Sequence, residues 1–398
     1  MAIYALLMRM APLFATNRRK DIHDNLLEVL LTGTFYSDNW IIPHLRPMAA
    51  SKHCRRVRMV ASDRVPPMDK VEAVYAPAWL TRMIGRIPAR LLLFIWIALR
   101  DRPHVVGGFH MLPNGLVAAL MGRFISAKSL YICGGGPREI IGGGYVSDNR
   151  IFGKLTKPDT VIEQRLLDAL SAIDITITMG SGAIRYFQQK HATTEYHIVP
   201  GGFDGKRFYP SEQPADNDLI LIGHLTSIKR VDRFLQAVKI TSSTMPEIKA
   251  IVVGDGPDRP SLERMAAELG IQQNVRFVGH QDNVEEWLRR SRILVLTSDS
   301  EGLAQVLIQG MLCGLPSVVS DVGDLGDLVN SGVNGYLINE LTPEAFAECF
   351  LMLLQNSERL TEFSRTAHQT AMRHEMEHVI RQWDIIFQNV NGMQGRSE

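Results

Sequence analysis

The chain alternates short apolar runs with longer stretches in which apolar residues recur every three or four positions. The runs read as β-strands and the periodic stretches as helices. In the first half the pattern predicts strands at Glu28–Thr32, Val57–Ser62, Ala73–Ala76, His104–Phe109, Ser129–Cys133, Ile175–Met179 and Tyr196–Val199. The clearest helices between them are predicted at Arg86–Arg100, Asn114–Phe124, Asp159–Ile173 and Ser181–Lys190. In the second half strands are predicted at Leu219–Ile222, Ala250–Val253, Arg276–Val278, Ile293–Thr297, Pro316–Ser320 and Tyr336–Ile338. Helices are predicted there at Arg230–Thr241, Ser261–Leu269, Val284–Arg290 and Leu303–Cys313. Runs such as LILI, AIVV and ILVL are apolar throughout, as a parallel strand covered on both faces requires. Repeated β-α-β order predicts an α/β protein with doubly wound sheets.

The period is lost over GGFDGKRFYPSEQPADN, a Gly-, Pro- and polar-rich stretch that separates two α/β regions. After Thr342 the pattern is helical to about Asn389. A last helix, Val379–Val390, carries Ile380, Trp383, Ile386 and Phe387 on one face, which must pack on something. The expected organisation is an N-terminal extension over 1–25, a Rossmann-like domain over 26–205, a second over 206–375, and a terminal helix over 376–398. Composition fits: 398 residues, 45% hydrophobic and 21% charged, have too much apolar content for a disordered, collagen-like or mucin-like chain.

The net charge of +1 conceals a polarity. Residues 1–200 hold 25 Lys and Arg against 15 Asp and Glu, and the remainder holds 18 against 27. A uniformly basic nucleic-acid coat protein is excluded, and no nucleic-acid partner is expected. Within Arg46–Arg102 there are 12 basic and 4 acidic residues, interleaved with Trp79, Leu80, Met83, Ile84, Phe94 and Trp96. That mixture suits an anionic membrane surface. Here Leu91–Leu99 (LLLFIWIAL) is read as core, and Arg55, Arg56, Arg58, Arg82, Arg86 and Arg90 as surface. Nine apolar residues are too few to span a bilayer. Met1–Ala15 carries Arg9 in its middle and no cleavage-like end, so it is not read as a signal peptide. Cys133, Cys313 and Cys349 lie in apolar contexts and read as buried thiols of a reducing compartment. No cysteine spacing suits a metal.

Candidate chemistry sits where strands end. Glu301-Gly302 follows LVLTSDS and precedes a helix expected to begin at Leu303, whose free N–H groups would suit a phosphate. An ordinary acidic first-turn residue would look the same. Lys229 and Arg230 follow another strand end, GHLTSI, where two cations can neutralise a diphosphate. Gly254 and Gly256 in VVGDGP permit a tight turn or a close ligand approach. The segment Gly134–Gly144 (GGGPREIIGGG) is either a flexible loop or a substrate loop with Gly135, Gly136 and Arg138. His110, after HVVGGF, is either a structural histidine or one aimed at the ligand crevice. Asp216-Asn217-Asp218 has a DxD spacing but lies in a linker, so no metal is expected there.

Together the stretches HIVPGGFDGKRFYP, LIGHLTSIKRVDRFLQAV, VVGDGPDRPSLERMAAELGIQQNVRFVGH and SEGLAQVLIQGMLCGLPSVVSDVGDLGDLVNSGVNGYLI resemble family-four retaining glycosyltransferases, strongest over 196–340. FHMLPNGLVAALMGR is similar to that family's histidine-bearing segment. The resemblance implies the GT-B fold, two Rossmann-like domains facing a cleft with the C-terminal helices crossing back. It implies an N-terminal acceptor domain, a C-terminal donor domain, and transfer of a hexosyl-type unit from a nucleoside-diphosphate sugar. No cofactor or metal is implied, and the acceptor is expected to be a glycan or lipid-linked. By the same resemblance, Lys229 binds the donor diphosphate, Glu301 lies near the donor sugar, and His110 approaches the transferred sugar. The donor set is completed by Gly33, His224, Arg230, Gly254, Gly279, His280, Gly302, Leu303, Ala304 and Gln309. His224 stands where the family usually has arginine, Gln309 where it has a second glutamate, and Ala304 where it has proline. A cytoplasmic location, peripheral at the inner face of the plasma membrane, is expected. Two other readings stay open: a non-catalytic scaffold of glycan assembly, motivated by His224 and Gln309, and a sugar-nucleotide epimerase. The missing GxGxxG counts against a NAD enzyme.

Overall fold

The computed structural model describes residues 4, 6–8, 10–11, 26–35, 37–145 and 155–394. The chain forms two compact units. One comprises Met1–Gly202 with Met376–Glu398, the other Phe203–Glu375. The handover lies at Gly202, three residues before the expected boundary. The Gly202 N–H donates to the Pro43 carbonyl (2.8 Å), whereas the Phe203 N–H donates to that of His374 (2.9 Å). Each hydrogen bond ties its residue to a different unit.

The first unit is built on a parallel seven-stranded sheet in the order β3-β2-β1-β4-β5-β6-β7. Its strands are β1 Leu27–Gly33, β2 Cys54–Ala61, β3 Val71–Tyr75, β4 Val105–Phe109, β5 Lys128–Cys133, β6 Ile175–Thr178 and β7 Glu195–Ile198. β1 and β4 are buried along their whole length. On one face Phe94, Ile97 and Ala98 of helix Arg86–Asp101 and Ala118, Met121 and Ile125 of helix Leu116–Ile125 pack on Leu30, Val60 and Val106. A second core gathers Leu166, Leu167 and Leu170 of helix Thr160–Leu170 and Phe187 of helix Ser181–Gln189 around Met111, Tyr131 and Cys133. Met8 is buried in that core with Tyr4 against it, so part of the expected N-terminal extension belongs to this packing. Residues 12–25 lie outside the described residues.

Two helices stand where no strong period was read. Helix Asp38–Ala50 contains Pro43 and Pro47, and helix Ala78–Ile84 buries none of its residues. The terminal helix Met376–Gln394 buries Val379, Trp383, Ile386, Phe387 and Val390. It packs along helix Asp38–Ala50. Its Asp384 accepts from Ser51 Oγ (2.7 Å) and the Lys52 N–H (2.9 Å).

The reading of Arg86–Asp101 needs correction. With 3.6 residues per turn, only one stripe of LLLFIWIAL can face the sheet. Leu92, Trp96 and Leu99 are exposed instead. Arg90, expected at the surface, is 1% exposed. Its guanidinium donates to the Gly33 carbonyl (3.0 Å), Ser62 Oγ (3.3 Å) and Asn114 Oδ1 (2.8 Å), partners that make a buried cation tolerable. Arg58 is also buried and pairs with Asp101.

The second unit has a parallel six-stranded sheet, β10-β9-β8-β11-β12-β13. The strands are β8 Asn217–Ile222, β9 Ala250–Val253, β10 Val275–Gly279, β11 Ser291–Leu296, β12 Ser317–Ser320 and β13 Gly335–Ile338. Phe234, Leu235 and Val238 of helix Val231–Ser242 and Phe346, Phe350 and Leu353 of helix Pro343–Leu354 form the core over Leu219, Val252 and Val295. Phe234 meets Phe350 edge-on, with ring centroids 6.4 Å apart. Helix Gln305–Leu312 lies against β11, where Gly310 leaves room for Leu294. All four cysteines are buried and free. Among the described residues no helix is long and apolar enough to cross a membrane.

Candidate active site

In each sheet the strand order reverses once, between β1 and β4 in the first unit and between β8 and β11 in the second. A crevice opens outside the carboxyl ends of the strands at such a reversal, and ligands bind there in open α/β sheets. Of the sequence-derived candidates, Gly33 and His110 fall at the first of these places, and His224, Lys229, Arg230 and Glu301 at the second.

In the second unit, the loop after β8 and the loop after β11 are tied together. Thr297 Oγ1 lies 3.1 Å from the Lys229 carbonyl oxygen and 2.9 Å from that of Arg230. This brings Lys229 Nζ to 2.7 Å from Glu301 Oε1. The Ser298 hydroxyl donates to the same oxygen at 2.6 Å. The Glu301 side chain is 8% exposed and the Lys229 side chain 28%. A nearly buried carboxylate is thus held by one ammonium and one hydroxyl at the mouth of the crevice. Arg230 is occupied otherwise. Its guanidinium pairs with Asp232 (2.9 Å) and Asp299 (3.1 Å), and Asp299 also takes Arg233 (2.8 Å). Burial pushes the Asp299 carboxyl up, but Arg233 and Arg230 together hold it below its ordinary range. Of the two adjacent cations, only Lys229 reaches Glu301.

The helix expected from Leu303 begins at Gln305. Ala304 is extended at the N-cap position and offers no side chain to cap the first turn, two residues later than expected. The chain bends at Gly302 and Leu303 before the extended Ala304, so the N–H groups of these three residues lie outside the helix. They donate to no protein group among the described residues. A Cβ at Gly302 would meet nothing within 4 Å. Gln309, one turn into the helix, is buried, and no protein group among the described residues hydrogen-bonds its amide.

The remaining donor candidates follow neighbouring strands. His224 Nδ1 is 2.7 Å from the Asp255 carbonyl oxygen, which can only accept, so this nitrogen carries the proton. Gly254 packs directly on the Gly223 backbone, and its N–H donates to the Gly279 carbonyl (2.8 Å). The close approach at Gly254 is therefore made by the protein's own backbone. Gly279 lies beside the Arg259 guanidinium. His280 is mostly exposed and turns its ring to Asp282 (3.3 Å). Asp216 and Asp218 of the DxD spacing are held by Arg290 and Arg292.

In the first unit, Gly33 ends β1 with its backbone against the Phe109 side chain and its carbonyl on Arg90. His110 follows β4 in a left-handed conformation (φ 65°). Its ring is buried, stacked on Trp40 at 5.9 Å, and its Nδ1 lies 2.9 Å from Glu139 Oε1. The glycine-rich segment is no open loop through Gly144. It folds into turns at Gly136–Glu139 and Ile141–Gly143, and Gly135 and Arg138 belong to the first of these. Sequence reasoning selected Arg138 there and missed Glu139. It also missed Ser298 beside Glu301, and Trp40 in the proline-containing helix. Glu139 and Ser298 each lie within three residues of a singled-out position, which was the signal available. Lys229, Glu301 and Ser298 form one cluster in the second unit; His110 and Glu139 form another in the first.

Residues 204–370 match the profile of the family described as Glycosyl transferases group 1. Among curated proteins, N-acetyl-alpha-D-glucosaminyl L-malate synthase of Bacillus anthracis is 28% identical over 179 residues, 44% of this chain and 47% of that protein. D-inositol 3-phosphate glycosyltransferase of Thermobispora bispora is 31% identical over 172 residues, 40% of each chain. The chain thus spans less than half the length of these relatives. Among solved structures, sucrose-phosphate synthase from Thermosynechococcus elongatus aligns with a TM-score of 0.74 at 16% identity, over 92% of this chain and all of that one. Anabaena HepE, solved with UDP and glucose, aligns with a TM-score of 0.70 at 16% identity, over 91% of this chain and all of that one. These likenesses are of fold: two Rossmann-like parallel sheets of the GT-B type.

Proposed function

From the match of residues 204–370 to the Glycosyl transferases group 1 family, we propose that the chain transfers a sugar from a nucleoside-diphosphate donor. The acceptor is a glycan or a lipid-linked molecule, and the anomeric configuration is retained without a metal. The observation that carries this reading is the Lys229–Glu301 pair at the β8/β11 reversal, beside the free N–H groups of Gly302–Ala304. Breaking a sugar–diphosphate bond leaves growing negative charge on the departing phosphate. A fixed ammonium and unpaired N–H groups stabilise that charge as it develops. Glu301, freed from Lys229 by the incoming diphosphate, is then available to the sugar.

The donor is tested by thermal shift over UDP-, GDP-, ADP- and dTDP-sugars. A ligand that binds only the folded protein raises its melting temperature. One base class is expected to do so, with UDP first to try because HepE was solved with UDP. A scaffold would bind none of them, and no shift with any donor overturns the reading.

The acceptor side is read as resting on an anionic membrane. Helices Ala78–Ile84 and Arg86–Asp101 display Trp79 (62% exposed), Met83 (71%) and Trp96 (53%), with Ile87, Leu92 and Leu99 also exposed. Arg82, Arg86 and Arg100 lie among them, the last with its guanidinium 4.1 Å from the Trp96 ring centre. Amphipathic aromatic side chains with arginines between them suit the headgroup layer of an anionic bilayer. In liposome sedimentation at low salt, anionic vesicles are expected to retain the protein and neutral ones to release it. The triple change Trp79→Ser, Met83→Ser, Trp96→Ser should abolish retention. Equal behaviour toward the two lipids sinks the membrane reading and leaves donor binding untouched.

A further inference from the structure

We propose that Glu139 is a positioning residue that fixes the tautomer and direction of His110 and presents His110 Nε2 to the substrate. The proposal rests on the glycosyltransferase reading for what His110 acts upon, but its geometry stands within the first unit alone.

Glu139 is 4% exposed, receives three donors and lies against a fourth polar atom, His110 Nδ1. Oε1 takes His110 Nδ1 (2.9 Å) and the Gly135 N–H (2.5 Å). Oε2 takes the Met111 N–H (2.7 Å) and the Tyr131 hydroxyl (2.7 Å). Backbone N–H groups can only donate; one lands on each carboxylate oxygen and the Tyr131 hydroxyl takes the second lone pair of Oε2, so the one place left for a shared proton is between Oε1 and His110 Nδ1. Burial pushes this carboxyl up, but the His110 ring and the Gly135 and Tyr131 hydrogen bonds outweigh it and hold it below its ordinary range. An ionised Glu139 can only accept, so His110 Nδ1 must carry a proton. The working atom is then Nε2, which is buried with no hydrogen-bond partner. A buried polar atom left unpartnered costs free energy, and the residue that carries it directly follows the carboxyl end of β4, next to the β1/β4 reversal. The ring cannot swing away. Trp40 stacks on it, His44 packs against Trp40 at 4.6 Å, and a Cβ at Gly134 would sit 3.1 Å from His110 Cε1. His44 itself stays neutral, its pKa lowered to about 3 by burial and by His110. A hydrogen bond to one imidazole nitrogen sets the role of the other, as in carboxylate-oriented histidines generally.

Glutamine cannot replace Glu139. Its NH2 would face either the Gly135 or the Met111 N–H, donor against donor. Two readouts test the proposal. In 15N-histidine-labelled protein, His110 is expected to show a protonated Nδ1, its signal assigned by its loss in His110→Asn. An unprotonated Nδ1 in the wild-type chain overturns the proposal whether or not any variant folds. In transfer assays, Glu139→Gln should lower kcat about ten- to a hundredfold, with the donor KM within about twofold, and should add nothing in a His110→Asn background. A Glu139→Gln variant with wild-type kcat, or one additive with His110→Asn, overturns the proposal. If no nucleotide sugar is turned over, the glycosyltransferase reading falls, and the labelled spectrum still decides the tautomer.

Discussion

Changing Lys229 to alanine is expected to lower kcat for sugar transfer by about a hundredfold or more, the usual cost of one fixed donor to a developing charge. The partner substitution, Glu301→Gln, should also depress transfer, but the two should move nucleotide affinity in opposite directions. In the structure Lys229 Nζ is committed to Glu301 Oε1 at 2.7 Å, with Ser298 on the same oxygen. A diphosphate must exchange that contact before it can use the ammonium. Without Lys229, a carboxylate only 8% exposed keeps a single hydroxyl donor and repels the incoming phosphates. Glu301→Gln removes the competing negative charge and leaves the ammonium free. Titration calorimetry with a plain nucleoside diphosphate therefore separates them: weaker binding for Lys229→Ala, equal or tighter binding for Glu301→Gln. Wild-type transfer by Lys229→Ala would falsify the site. Weaker nucleoside-diphosphate binding by Glu301→Gln would show that the carboxylate supports the diphosphate rather than competing for its cation.

The sheets were readable because a parallel strand buried on both faces must be apolar throughout, and runs such as LILI and ILVL have few other uses. β8 and β11 fall within a few residues of the expected strands, and so do the loops that follow them. What escaped reading depended on contacts made far along the chain. Arg90 looks like surface because arginine nearly always is; its burial rests on the Gly33 carbonyl and Asn114 Oδ1, 57 and 24 residues away. Helix Asp38–Ala50 was hidden by Pro43 and Pro47, and it carries Trp40 and His44 one turn apart, beside His110. Glu139 shares a glycine-rich stretch with Arg138, and only the fold reveals that the acid meets His110 and the Met111 N–H just after β4. The helix starts at Gln305, after bends at Gly302 and Leu303 that put the N–H groups of Gly302, Leu303 and Ala304 outside it.

Two glycines at the second unit's crevice should respond oppositely to the same added methyl group. Gly254 has φ 133° and is packed on Gly223, where a Cβ would overlap the Gly223 carbonyl oxygen. Gly254→Ala combines a conformation that side chains avoid with a collision against backbone, which cannot rotate away. The expected loss is about 3 kcal/mol or more, a fall in melting temperature on the order of 10 °C for a unit of this size. The damage should spread to His224, because separating the ends of β8 and β9 removes its hydrogen bond to the Asp255 carbonyl. Gly302 is the counterpart: a Cβ there meets nothing within 4 Å. Gly302→Ala should hold its melting temperature, since an exposed addition costs within about 0.5 kcal/mol. The methyl group would stand beside the unpaired N–H groups of Gly302–Ala304, so nucleotide-sugar affinity should fall at unchanged stability. If Gly302→Ala binds donor as the wild type does, those N–H groups do not face the phosphates, and Lys229 alone must carry the charge.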